Sequence, residues 1–389
     1  MRTDPLAYAY GAVIGFLGDR ALGDPQRGHP VAAFGRAAGA VERRLWRDHR
    51  GHGALHTAVC AGGAALVGAL LTRAARGPAG TRPAAPHTLS TAPAGRPVPA
   101  SPVSPVVPAS RATTVRQAAA PRPSTGRPVS AAPRAPYPLA RISSPARARE
   151  AALTALATWA VLGGTTLGRE ARTIGAALTA GDLDAARAAL PRLCGRDPQA
   201  LDAQQIARAV VESVAENTSD AVVGALVWGA VGGVPGLLGF RAVNTLDAMV
   251  GHRSPRYLRF GWASARLDDL VGWPGARLTA ALAVLAGPAP GRAWRTVRRD
   301  AGSHPSPNAG PVEAAFAGAL GVRLGGTLAY AGRVEHRPVL GAEHRPVEVA
   351  DIERAVRLSR RVSALALAAS VAGRLAYGAA TAGNHRGDR

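Results

Sequence analysis

An all-α fold, a polytopic membrane helical bundle with interfacial polar loops, is predicted by three features of the chain. Apolar runs of about seventeen to twenty residues recur at 54–72, 151–167, 221–240 and 362–380, long enough for helices that cross a bilayer. Arginines gather beside these runs, as they do at membrane boundaries. Carboxylates, amides and histidines form polar islands that border the runs and leave their interiors nearly uncharged.

Composition narrows the function classes. The 389 residues carry a net charge of +22, and every basic side chain except histidine is arginine. Without lysine there is no P-loop and no Schiff-base chemistry. Nucleic-acid binding is set aside because no recognition motif accompanies the charge, which suits a surface near anionic lipid. The two cysteines, Cys60 and Cys194, lie far apart without metal-ligand spacing, so neither a disulfide scaffold nor structural zinc is expected.

Three regions follow in order: 1–72 with N-terminal membrane helices and a polar GDP/HP loop, 73–150 as an insertion, and 151–389 with the main motifs. The apolar run 6–17, ended by Gly18-Asp19, reads as a retained interfacial or tilted helix, followed by a Gly- and Pro-punctuated loop holding Asp19, Asp24 and His29. The 54–72 run has arginines on both flanks, so its orientation stays open. Between 77 and 149 fall sixteen of the thirty-one prolines and no Asp or Glu. Such a stretch cannot bury enough apolar surface to offset its ordering entropy, so a disordered or polyproline-like loop is expected.

Beyond it, 169–202 reads as soluble helix with Asp182 as an N-cap. In 204–220, Glu212, Glu216 and Asp220 recur at i, i+4 and i+8, stacked on one face of an α-helix, where like charges need a cation or a ligand. The uncharged run 221–240 carries a small-residue face at Ala225, Gly229 and Gly233, and Pro235 kinks or ends it. Arg241, Asn244, Asp247, Arg266, Asp268 and Asp269 come next, then a weak span at 277–288. The HPSPNAG loop at 304–310 cannot be helical and leads into a helix at 312–324. His304, Ser306 and Asn308 there form either an anion cradle or a plain cap made by Asn308. Arg374 interrupts the last span, either snorkelling or facing a polar interior.

The segments GDPQRGHPVAAFGR, ESVAENTSDAVV, RAVNTLDAMVGHR, FGWASARLDDL and HPSPNAGPVEAAFAGALGVRLGG resemble, in order, the CobD/CbiB family of cobalamin biosynthesis proteins. The resemblance covers the first forty residues and roughly 151–332. It departs at Pro311-Val312, where a Trp usually follows NAG, at Ala225, where Pro is common, and at the long insertion. It implies a multi-pass protein of the inner cell membrane that acts as adenosylcobinamide-phosphate synthase, an amide-forming ligase. Its substrates would be adenosylcobyric acid, a corrinoid, and aminopropanol phosphate or ethanolamine phosphate, with ATP and Mg2+ as cofactors. The lipid bilayer and other corrinoid-pathway enzymes are the expected partners, and nucleic acid is not.

On that resemblance, chemistry assigns the roles. Glu212, Glu216, Asp220 and His304 are the catalytic candidates, since the ammonium needs a base and histidine titrates near neutrality. Asp24, His29, Asn217, Arg241, Asn244, Arg266, Ser306 and Asn308 are the substrate-binding candidates, with arginine as the phosphate clamp. Asp247, Asp268 and Asp269 are the metal candidates, because Mg2+ takes oxygen ligands. For each carboxylate the alternative is a solvated helix face or a partner for a nearby arginine; the site reading leads for Glu212, Glu216 and Asp220, and the two are even for Asp268 and Asp269. Two rivals remain in view: a magnesium-dependent membrane prenyltransferase-like enzyme, given the NTLD and LDD clusters, and a polytopic transporter with polar groups lining a pathway.

Overall fold

The structure is a computed structural model that describes residues 3–24, 28–77, 144–195, 198–199, 201–330 and 333–387. The chain divides into two compact units, Met1–Pro78 with Ile142–Arg389, and Ala79–Arg141. The second unit lies outside the described residues, as does most of the expected insertion at 73–150; the edges of that stretch are helical, up to Arg76 and from Pro145.

The first helix, α1 (Pro5–Leu22), starts where Asp4 accepts the amides of Leu6 and Ala7 at 2.9 and 3.1 Å with Pro5 behind it. It does not stop at Gly18-Asp19 as expected. It runs on to Leu22 and ends at Gly23, whose φ of 67° suits a residue without Cβ. His29 caps α2 (Pro30–Leu45), its Nδ1 accepting the Val31 amide at 3.1 Å. The long α3 (Arg50–Arg76) follows.

Across the insertion, α4 (Pro145–Val161) packs along α1 at van der Waals closeness. A Cβ on Gly11 would stand 2.6 Å from the Ala151 carbonyl, and one on Gly15 would stand 2.4 Å from that of Ala155. The run expected to be one span at 151–167 breaks at Leu162 and Gly163, and α5 (Gly164–Thr179) begins there. Asp182 caps α6 (Leu183–Ala189) as expected. Next, α7 (Ala203–Thr218) and α8 (Gly224–Val250) form one 48-residue helical stretch. The weak span at 277–288 is the end of α9 (Trp262–Ala286), and α10 (Pro290–Asp300) follows. The helix α11 (Ala309–Leu320) starts three residues earlier than expected and ends at Gly321, in left-handed conformation with φ 71°.

An antiparallel hairpin follows, β1 (Leu324–Tyr330) paired with β2 (Arg333–Leu340), and the chain ends in α12 (Ala350–Gly387). The hairpin, with an isolated parallel bridge between Val322 and Arg345 beside it, departs from the otherwise helical elements among the described residues. Four helical stretches are long and apolar enough to cross a membrane: Arg50–Arg76, Pro145–Thr179, Ala203–Val250 and Ala350–Thr381. On α3, Leu55, Val59, Leu66, Val67, Leu70 and Leu71 are exposed, an apolar face of the kind that lipid covers.

Arg374 faces the interior, for a reason that lies in α8. Gly233 leaves helical geometry there (φ 65°, ψ −144°), and Pro235 has no N–H for the Val231 carbonyl. Arg374 Nη1 donates to the carbonyls of Ala230 and Val231 at 3.1 and 3.4 Å, and Nη2 donates to that of Thr3. Arg374→Met is expected to leave these acceptors unpaired and cost on the order of 3 kcal/mol. A melting midpoint in detergent no lower than that of the parent protein would disprove this tie.

Candidate functional site

The helix that runs from α7 into α8 is not α-helical throughout. At Ser219–Val223 its ladder widens into a π-turn, a feature frequent at functional sites. Small residues bring two other elements onto this turn. The Gly163 amide donates to the Ala221 carbonyl at 3.2 Å, and a Cβ on Gly164 would lie 3.1 Å from Val222. From the other side α9 approaches until a Cβ on Gly275 would lie 2.8 Å from Gly224 Cα. Asp220 sits in the π-turn itself, so the expected single α-helical stripe of Glu212, Glu216 and Asp220 is divided.

Glu212 belongs to one end of that strip. Its carboxylate is buried, accepts the Gly325 amide at 2.7 Å where the hairpin starts, and lies 3.9 Å from Arg208. His304 is close enough to feel Glu212, and its Nε2 is 3.7 Å from Glu313. His304 Nδ1 accepts the Ser306 amide at 3.0 Å. Burial pushes the imidazole below its ordinary value, with Arg337 adding to the effect, so it is neutral near pH 7. The helix cap next to it is not made by Asn308. Ser306 Oγ accepts the amides of Asn308 and Ala309 at 3.3 and 3.1 Å. Asn308 instead donates to the Asp269 carbonyl at 3.0 Å and accepts from Arg277 at 3.3 Å, tying the loop to α9.

One turn further on, the carboxylates converge. Asp220 is repelled by Glu216, Asp268 and Asp247, and Asp247 by Asp269. Arg241 is the cation among them, attracted by Asp220 from its own helix and by Asp24 from the loop after α1. Its Nη1 donates to Asn244 at 3.4 Å, and Asn244 in turn hydrogen-bonds Asp268. Burial, then Asp247, Asp269 and Glu216, raise the Asp268 carboxyl to about 7 against the pull of Asn244. Buried atoms without a hydrogen-bond partner collect here: Asp24 Oδ1, Arg241 Nε and Asp268 Oδ1. Such atoms in one place are what a polar ligand satisfies.

The remaining sequence candidates fall into three positions. His29, beside its capping role, lies 3.9 Å from Asp24. Asn217 turns back on its own helix, donating to Ser213 O and Oγ at 3.0 and 3.1 Å. Arg266 is exposed and lies 3.7 Å from Asp269. The assembly thus joins Asp24, Glu216, Asp220, Arg241, Asn244, Asp247 and Asp268, sets Glu212 and His304 one turn away, and leaves Arg266 at the surface. The π-turn escaped the sequence reading, and so did the Gly163-Gly164 turn that lets Asp24 meet Arg241. A GG pair ending an apolar run was the available signal.

The donor set is entirely oxygen, which suits Mg2+, and Asp268 Oδ1 and Asp24 Oδ1 have acceptor capacity to spare. Among the described residues no three His, Cys, Asp or Glu side chains form a ready metal cage. That agrees with the habit of Mg2+, which binds one or two carboxylates and completes its shell with water and phosphate oxygens.

Comparison with known proteins fits this arrangement. The model of the CobD/Cbib protein family matches residues 12–96 and 129–359, which include every side chain of the carboxylate assembly. A Mycobacterium tuberculosis protein named cobalamin biosynthesis protein CobD is 45% identical over 363 residues, 92% of this chain and 92% of its own. A protein of the same name from Chromobacterium violaceum is 38% identical over 366 residues, covering 94% and 96%. One from Rhodobacter capsulatus is 52% identical over 187 residues, covering 48% and 60%. No solved structure matches. By the extent of these matches, the chain belongs to the CobD/CbiB family.

Proposed function

We propose that this protein is a multi-pass inner-membrane enzyme of cobalamin biosynthesis that joins adenosylcobyric acid to aminopropanol phosphate or ethanolamine phosphate, at the expense of ATP. The observation that carries the reading is the gathering of Glu216, Asp220, Asp247 and Asp268 around Arg241, beside membrane-length helices, in a CobD/CbiB chain. Family membership supports the pathway, and the site chemistry supports an ATP-dependent acyl transfer.

In such a ligation the carboxylate oxygen takes the terminal phosphoryl group of ATP and ADP leaves. The amine nitrogen then attacks the acyl carbon, phosphate leaves, and the nitrogen's proton passes to a base. A bound Mg2+, held through Asp268 and Asp247 with phosphate oxygens, would supply charge neutralisation. Arg241 is placed to hold an anionic oxygen, as the fixed cation where negative charge gathers. Asp220 and Glu216 are the acceptors within reach of that cation for a proton from the ammonium. Glu212, holding the Gly325 amide, keeps the hairpin against α7. His304, neutral and enclosed beside Glu212 and Glu313, fits a positioning role one turn from the acids.

The test is direct. Membranes holding this chain, given adenosylcobyric acid, aminopropanol phosphate and Mg-ATP, are expected to yield a phosphorylated cobinamide and ADP. With verified substrates, no ATP-dependent product would end the ligase reading.

A further inference from the structure

Three helices are clamped together at the C-terminus of α11. Arg292 of α10 donates to the carbonyls of Gly318 and Ala319 at 2.7 and 3.1 Å, and Arg354 of α12 donates to that of Leu320 at 2.9 Å. The last carbonyls of a helix lack partners within it, and these two guanidinium groups supply them. Beside the clamp lies a cavity of about 200 Å³, room for more than ten waters at roughly 10–15 Å³ each. Its floor is apolar, made by the buried Leu320 and Leu358, with Pro288 beside them. Arg354, Arg357 and Arg361 complete the lining, which includes no acid among the described residues.

The three arginines are not equally occupied. Arg354 is committed to the clamp and to Asp351, at 2.5 Å. Arg357 is exposed and lies 3.5 Å from Glu353, a carboxylate that Arg172 already holds at 2.7 and 3.2 Å. Arg361 is exposed too, and among the described residues it makes no hydrogen bond or ion pair. The rim therefore carries positive charge that the nearby acids do not balance. Guanidinium groups brought together in this way suit the oxygens of a phosphate.

Position along the helices says what brings the anion. Arg361 is the last charge before the apolar run 362–380, and Leu365, one turn further, is 43% exposed. Leu285, just before Pro288, is 70% exposed. On α10, Trp294 is exposed and the Arg298 guanidinium stands 6.0 Å from its ring centroid. Tryptophan and arginine side by side on an exposed helix face are what a membrane interface favours. A cationic rim over an apolar floor, next to lipid-facing leucines, matches a ligand with an anionic head and an apolar tail. A nucleotide or free phosphate would leave the floor uncovered. We infer that this cavity selects an anionic phospholipid, with its phosphate between Arg357 and Arg361 and an acyl chain along Leu358 and Leu365. Such a site holds one lipid of defined headgroup charge, unlike the bilayer around every span, and it stands independently of the ligase reading.

Native mass spectrometry of the full chain, released from the uncharged detergent dodecyl maltoside, tests the inference with dioleoyl phosphatidylglycerol and dioleoyl phosphatidylcholine. The first phosphatidylglycerol should bind ~30-fold more tightly than phosphatidylcholine. R361Q, which breaks no ion pair, should lower that preference ~5-fold, and R357Q/R361Q should bring the two lipids near parity. R43Q/R44Q removes the same charge at the end of α2 and should keep at least ~10-fold preference. All four arginines are exposed, and a thermal melt in the same detergent verifies each fold. No preference in the parent, or an equal loss in R43Q/R44Q, overturns the site in favour of diffuse surface charge. Displacement of the lipid by glycerol 3-phosphate or ATP at equal concentration also overturns it, and assigns the rim to a soluble anion.

Discussion

Arg241→Met is expected to lower ATP-dependent amide formation by about 10³-fold, the scale of losing a fixed charge that stabilises developing negative charge. Arg241 is the cation that Asp24 and Asp220 share, and its Nε is buried without a partner. Methionine keeps most of the volume and removes the charge, so Asp220 would face Glu216, Asp247 and Asp268 with nothing to offset them. The variant therefore carries a second signature. Its loss should be steepest above neutral pH, where the acids are ionised, and it should bind Mg2+ at least as well as the parent, since a competing cation is gone. Arg241→Lys should recover part of the rate as a point charge without the planar fork. If Arg241→Met folds and keeps activity within about threefold, the site has been placed on the wrong side chain.

How far the sequence led depended on the scale of the feature. Spans show in composition, because a bilayer demands about twenty apolar residues and few other environments do. The runs at 54–72, 221–240 and 362–380 therefore lie inside helices of the expected kind. The clustering of Glu216, Asp220, Asp247 and Asp268 was legible as acids bracketing one run, and Arg241 as the nearest cation. What stayed hidden depends on contacts between distant segments. Asp19 looked like a loop residue, because the Gly18-Asp19 pair reads as a stop and only packing against α4 carries α1 on to Leu22. Glu212 shares the helix and the spacing of Glu216, yet it answers to the Gly325 amide more than a hundred residues later. The hairpin was missed because β1 begins inside GVRLGG, where glycines at φ 79° and 84° (Gly325 and Gly326) end helical propensity without announcing a strand. The cap passed from Asn308 to Ser306 for a similar reason: Asn308 is drawn away by the α9 carbonyl of Asp269.

Asp268→Asn is the second substitution with a large expected effect, and pH separates its two roles. The folded carboxyl titrates near 7 instead of 3.8, chiefly through burial and then through Asp247. At about 1.36 kcal/mol per pH unit this penalises the ionised form by on the order of 4 kcal/mol. Because the folded value lies above the unfolded one, the stability contributed by the protonated group is complete below about pH 4 and is lost as pH rises through about 7. The parent should therefore melt at progressively lower temperature between pH 5 and pH 8, and Asp268→Asn should flatten that slope. Mg2+ binding requires the ionised carboxylate and releases its proton. The ion should raise the parent's melting midpoint more at pH 8 than at pH 6, and should do so weakly in Asp268→Asn. Activity of the parent should climb through pH 7 as the carboxylate forms, whereas Asp268→Asn should lack that climb and fall about 10²- to 10³-fold below the parent at pH 8. Equal Mg2+ stabilisation of both proteins at pH 8 would remove Asp268 from the metal and leave it a buried acid that merely weakens the fold.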